Sequence, residues 1–166
     1  MRKKLAVLGV VTSLIGSGVV IGAMVPAASQ QPGTTFMVCD RNRGGYNKDV
    51  DLGKKGFSAG DQFLEVDTLR RLTSGAKVGR LVVRGSFVRV FRKQQDALFI
   101  VDFTATLRNG KVSGYGYTRF SKFESEGGKF AIVGGTGSYN DVRGAVVVTA
   151  GRCGGKPGTR ITFNLA

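Results

Sequence analysis

The chain has no histidine and no tryptophan, and only three prolines and two cysteines in 166 residues. Without histidine there is no Ser–His or Cys–His nucleophile pair and no imidazole general base. Two cysteines without histidine do not supply the ligand set of a structural zinc site, so no metal is expected. Any catalysis must rest on Asp, Glu, Tyr, Arg, Lys or backbone groups. Acidic residues are also scarce. Eleven Asp and Glu stand against 25 Lys and Arg, a formal net charge of +14.

There is one long apolar run. Arg2, Lys3 and Lys4 precede an uncharged stretch from Leu5 to Val25, and Pro26 then breaks any helix. Val25-Pro26-Ala27 and Ala27-Ala28-Ser29 put small residues where a signal peptidase needs them. Residues 1–29 are therefore read as a signal peptide and the protein as secreted. The run is nearly long enough to span a bilayer, which keeps a retained membrane anchor as the competing reading. Gly9, Ser13, Gly16, Ser17 and Gly18 weaken a helix there and favour cleavage. The remainder of the chain is one domain, 30–166: an N-terminal strand and polar Gly-rich loop over 30–60, then the main part over 61–166. It keeps 22 basic and 11 acidic residues, a net +11. In an exported protein two cysteines are most simply one disulfide, Cys39–Cys153.

Beyond the leader, β-branched and aromatic residues come in short bursts between glycine-rich turn signals, with no sustained helical period. Eight strands are expected: Thr35–Asp40, Asp61–Asp67, Val78–Phe91, Ala97–Leu107, Lys111–Phe120, Lys129–Gly134, Val142–Cys153 and Gly158–Leu165. Gly85 suggests a bulge or bend in the third. Asn109-Gly110 predicts a hairpin built on a type I′ turn. Asp40–Gly60 reads as a long polar loop. Eight antiparallel strands must manage their edges, and a closed barrel or a two-sheet sandwich does so. The strand Ala97–Leu107 is apolar on both faces at its start, which hints at cover by another subunit.

The most specific stretch is Phe130–Val147, FAIVGGTGSYNDVRGAVV. It reads as a strand–tight turn–strand unit: a strand runs into Gly134-Gly135-Thr136-Gly137, whose glycines permit positive φ, then come an aromatic at Tyr139, Val142-Arg143-Gly144 and another strand. No helix start or Gly-Lys-Ser/Thr follows, so it is not a phosphate loop. This unit resembles the signature of dirigent proteins and allene oxide cyclases. Val66-Asp67, Leu72-Thr73, Val78-Gly79-Arg80 and Gly85 add to the resemblance, with a longer spacing and one Asp and one Pro replaced, as does Gly110–Gly116. The resemblance covers roughly residues 60–165. It implies an all-β, eight-stranded antiparallel barrel, commonly a homotrimer. Its lumen would bind a small hydrophobic molecule and steer a cyclisation or isomerisation, with no metal or organic cofactor.

On that footing Asp67 is a candidate acid or base at the barrel mouth, Asp102 a candidate lumen base, Arg143 an oxyanion stabiliser and Tyr115 a donor to a ligand oxygen. Phe99, Phe103 and Tyr139 are candidate ligand contacts. Each has a plainer alternative: Asp67 paired with Arg70 or Arg71, Asp102 facing outward, Arg143 bonding turn carbonyls, and the aromatics as packing. A second functional reading is a non-enzymatic binding protein. The phenylalanines would fill the barrel, and the basic surface would hold the protein to anionic polymers of the cell envelope, or the protein would carry an apolar ligand without turning it over. Export, and the absence of any recognised motif, argue against nucleic acid as the partner.

Overall fold

The computed structural model describes residues 33–41, 45–53, 55–56, 58–91 and 95–166. The signal peptide and the alternative anchor, read over 1–29, lie outside the described residues. Within them are nine strands and one short helix: β1 Thr35–Asp40, β2 Tyr46–Val50, β3 Gln62–Arg71, β4 Lys77–Phe91, β5 Asp96–Leu107, β6 Gly110–Arg119, α1 Phe120–Glu126, β7 Gly128–Gly137, β8 Gly144–Cys153 and β9 Lys156–Leu165. All pairings are antiparallel. The order is β1-β9-β8-β7-β6-β5-β4-β3-β2, and β1 also pairs with β3 through Val38 opposite Arg71 and Cys39 opposite Arg70. That last pairing closes an eight-stranded barrel.

β2 is the ninth strand. It continues along the β3 edge where β1 leaves it, from Tyr46 opposite Val66 to Val50 opposite Gln62. The sequence predicts a loop over these residues. Their side chains are polar and mostly exposed, so no hydrophobic alternation marks them, and only pairing to β3 makes them a strand. The sequence does not predict α1 either: seven residues are too few to show a helical period. The helix is seated by Asp96 at the start of β5, whose carboxylate accepts from Ser121 N at 2.9 Å, Ser121 Oγ at 2.9 Å and Ala97 N at 2.8 Å, and pairs with Arg119 at 2.8 Å.

Three glycine expectations are corrected. The β5–β6 hairpin forms, but Leu107 pairs with Gly110, so its two loop residues are Arg108 and Asn109, and Asn109 does not adopt positive φ. Gly110 is needed for another reason: a Cβ there would strike the Thr136 carbonyl of β7. Gly85 sits in regular register between Phe63 and Val101, and the bulge lies between Phe87 and Arg89. Gly85 leaves room for the Phe63 ring, which a Cβ would overlap. Gly134 to Gly137 belong to β7, and the turn itself is Ser138–Arg143, with Asp141 at φ 59°.

Cys39 and Cys153 form the expected disulfide, S–S 2.05 Å, both side chains fully buried. It links β1 to the end of β8, where the β8–β9 hairpin also donates Gly154 N to the Leu72 carbonyl. No helix among the described residues is long and apolar enough to cross a membrane.

Candidate ligand cavity in the barrel lumen

The inward residues of β3, β4, β5, β8 and β9 do not fill the barrel. With β2 and the rim residues they surround a cavity of about 770 Å³ that opens at the mouth. Its wall is made by Phe63, Leu81, Val83, Phe87, Phe99, Val101 and Phe103 from β3 to β5, and by Phe130, Val146, Val148, Ile161 and Phe163 across the lumen. α1 contributes Phe120 and Phe123. The rings form a connected series, Phe87–Phe63–Phe99–Phe123–Phe130, with centroids 5.9 to 6.2 Å apart. Edge and tilted contacts of this kind are favourable.

β3 supplies the polar side of the cavity. Phe63, Glu65 and Asp67 line it, while Leu64 and Val66 lie on the opposite face. Strands normally turn their apolar face inward and their charges to water. Here two carboxylates face the lumen and two aliphatic side chains face outward. A one-residue slip would reverse this, but Phe63 and the fully buried Leu69 fix the register. Asp40, at the end of β1, adds a third carboxylate to the same lining.

Burial pushes the Asp67 carboxyl up to about 6, with the charges of Asp40 and Glu65 adding to it. Glu65 is raised for the same first reason, with Asp49 and Asp40 next. Asp67 therefore exists in both protonation states near neutral pH and can give or take a proton from a molecule in the cavity.

The rim is organised by a different aspartate. Asp61 accepts from Leu52 N at 3.0 Å, Ser58 N at 2.7 Å and Ser58 Oγ at 2.9 Å, which ties Leu52 and Ser58 to the start of β3. Those bonds, with the Leu52 N–H first, hold its carboxyl below the usual range. Leu52 and Ser58, in the long polar loop expected from the sequence, are thus bonded at the rim.

The sequence candidates divide between three places. Asp67, Phe99 and Phe103 line the cavity. Asp102 and Tyr115 do not: Asp102 lies on the outer wall, bonded to Arg84 Nε at 3.1 Å, and Tyr115 opposite it is 60% exposed. Inward Phe99, Val101 and Phe103 leave the alternate residues of β5 outside. Arg143 and Tyr139 belong to the closed end of the barrel. Arg143 Nη1 donates to the Val142 carbonyl at 2.9 Å, and Tyr139 packs on Phe36 at 6.0 Å between centroids. The Gly-Gly-Thr-Gly unit is part of that closure: a Cβ on Gly135 would strike the Lys111 and Tyr139 carbonyls. Glu65 and Asp40 are not among the sequence candidates. A signal for Glu65 exists, since it alternates with Phe63 and Asp67 on one face of β3.

No protein-family model matches the sequence, and no curated protein does. Solved structures do match in fold. A pyocyanin demethylase superposes with a TM-score of 0.63 at 22% identity, over 80% of this chain and 100% of its own. The pterocarpan synthase dirigent protein PsPTS1 gives 0.55 at 17% identity, over 82% of this chain and 94% of its own. The fold is the dirigent-type barrel. AbnU, an exo-specific intermolecular Diels-Alderase, shares it with a TM-score of 0.53 at 16% identity, over 78% of this chain and 98% of its own. The resemblance carried by Phe130–Val147 and Val66–Gly85 thus holds at the level of architecture.

Proposed function

We propose that this protein is a secreted dirigent-type barrel that binds a small hydrophobic molecule in its lumen and turns it over by cyclisation or isomerisation without a cofactor. The observation that carries the reading is the cavity of about 770 Å³, walled by phenylalanine and valine with a few carboxylates on one side. Apolar cavities of this size with sparse, convergent polar groups are the common form of small-molecule sites. The solved structures of similar fold include enzymes whose names specify a demethylation, a cycloaddition and a pterocarpan synthesis, which supports a reactive rather than a storage lumen.

The chemistry assigned to the residues is limited and specific. The phenylalanine wall holds a flexible or multi-ring substrate near its reacting conformer, so that orientation supplies most of the acceleration. Asp67 moves one proton, as the acid when protonated and as the base when ionised. Burial first, then the charges of Asp40 and Glu65, set its affinity for that proton. Asp102, Tyr115 and Arg143 have no part in this scheme.

The experiment is native mass spectrometry of the protein purified from its own culture medium, before and after denaturation. A small organic molecule released on unfolding, and absent from a Val101→Trp variant whose lumen is filled, is the expected result. An empty wild-type barrel that also binds none of a panel of apolar molecules overturns the reading. It would favour the envelope-binding role for the basic surface.

A further inference from the structure

The distribution of charge between the surface and the lumen is uneven in a way the net charge does not predict. Lys and Arg outnumber Asp and Glu by 25 to 11 in the chain. On the outer wall and around α1, carboxylates are paired with cations: Asp102 with Arg84, Asp96 with Arg119, Glu126 with Lys122. The cavity reverses the balance. Among the described residues that line it are Asp40, Glu65 and Asp67, with Asp49, Asp51 and Asp61 toward the rim, and no Lys or Arg. The rim aspartates Asp51 and Asp61 accept N–H bonds from their own loop. Glu65 and Asp67 instead project from β3 onto the same face as Phe63.

Two carboxylates on one strand face, with Asp40 at the end of the neighbouring strand β1, repel one another and lose hydration inside an apolar wall. A neutral ligand leaves that penalty in place, and an anionic ligand adds to it. A ligand with a positive charge removes it, and the ring faces of the phenylalanine wall attract the same charge. The wall and the carboxylates therefore select for one class of molecule. We propose that the lumen takes a cationic aromatic or a hydrophobic amine, its ring system against Phe99, Phe123 and Phe130 and its charged nitrogen beside Glu65 and Asp67. This rests on the lumen being a binding site and names the chemical class that it selects.

The test compares three rigid tricyclic fluorophores of similar shape: 10-methylacridinium, neutral 9-methylanthracene and anionic anthracene-9-carboxylate. Each is titrated into the full mature protein at pH 7.5 and followed by fluorescence. The cation is expected to bind at least about tenfold tighter than the neutral probe, which coulombic attraction to a partly desolvated carboxylate accounts for. Glu65→Gln with Asp67→Asn should remove most of the preference for the cation, whereas Asp102→Asn, which removes one carboxylate from the outer wall, should leave the ratio unchanged. Val101→Trp, or Val148→Phe if the first variant does not fold, should abolish binding of both. A neutral probe that binds as tightly as the cation, lost on filling the lumen and indifferent to the double variant, overturns the charge inference while the lumen reading stands. An anion that binds most tightly, with a ratio that follows Asp102 rather than Glu65 and Asp67, assigns the effect to the surface and also overturns it. No probe binding at all, or binding that survives both filled-lumen variants, sinks both ideas together.

Discussion

The two halves of the barrel interior follow different rules. In the half closed by the Ser138–Arg143 turn, Leu69, Ala105, Val112, Ile132, Tyr139, Val142 and Leu165 belong to the packed core, and glycines at 110, 135 and 137 let three backbones meet. In the other half the same strands carry larger apolar side chains, yet they stand back from one another around about 770 Å³ and admit carboxylates. A single domain thus concentrates its tight packing in one place and keeps a destabilising arrangement in the other. Local conflict with the usual burial pattern is expected where function constrains the sequence.

The largest expected effect tests the bond that ties β1 to the end of β8. The Cys39–Cys153 bond closes a segment with a sequence separation of 114. In the chain-entropy model that constraint is worth about 4–5 kcal/mol. A Cys39→Ser, Cys153→Ser double variant should lose about that much in non-reducing urea titrations. Equal midpoints for variant and parent would remove the disulfide from the account.

The next effect separates the halves directly. Leu69 is fully buried and away from the cavity, so Leu69→Ala leaves a new void and should cost about 2–5 kcal/mol. Val83 already borders empty space. Val83→Ala enlarges a cavity rather than creating one, and should cost less than about 1 kcal/mol. Chemical denaturation of the two variants side by side decides this, and equal costs would mean that the lumen is packed in solution.

The same contrast explains what can be read from sequence. The packed half is legible because its determinants are local: alternating apolar residues, the Asn109-Gly110 hairpin and the Gly-Gly-Thr-Gly unit. Even there, the role of a glycine is set by a neighbour far along the chain, as with Gly110 against Thr136. The open half is harder. Phe99 and Phe103 are legible as lumen residues, but Ile100 and Asp102 alternate with Phe99, Val101 and Phe103 on a strand whose two faces look equally apolar at its start. The larger phenylalanines go inward and Asp102 goes out. Glu65 escapes a sequence reading because a glutamate in a strand is by default solvent-facing. β2 and α1 exist through contacts, to β3 and to Asp96, that no local pattern announces.

The smallest effect is the most diagnostic, because two aspartates should respond to pH with opposite signs. Asp96 is held ionised by hydrogen bonds, that from Ser121 N first, and its carboxyl lies below the usual range. Its contribution to stability is present above about pH 4 and fades as the pH falls through its folded value. Asp96→Asn should therefore destabilise at neutral pH, and the deficit should shrink in acid. Asp67 is the reverse case, at about 6 in the folded protein because burial disfavours its charge. The folded state holds its proton more tightly than the unfolded chain does, so stability falls as the pH rises from about 4 to about 6 and then levels. Asp67→Asn removes that slope. It should gain nothing at pH 4 and about 1 kcal/mol at pH 7, a figure reduced from the full shift because Asp67 is only half-buried and partly screened by water. Thermal melts of both variants from pH 4 to 8 measure the two signs in one experiment. If Asp67→Asn instead weakens the protein at pH 7, Asp67 gains more from a partner when ionised than it loses by burial, and it is a structural carboxylate rather than a group kept at some cost in stability for a ligand.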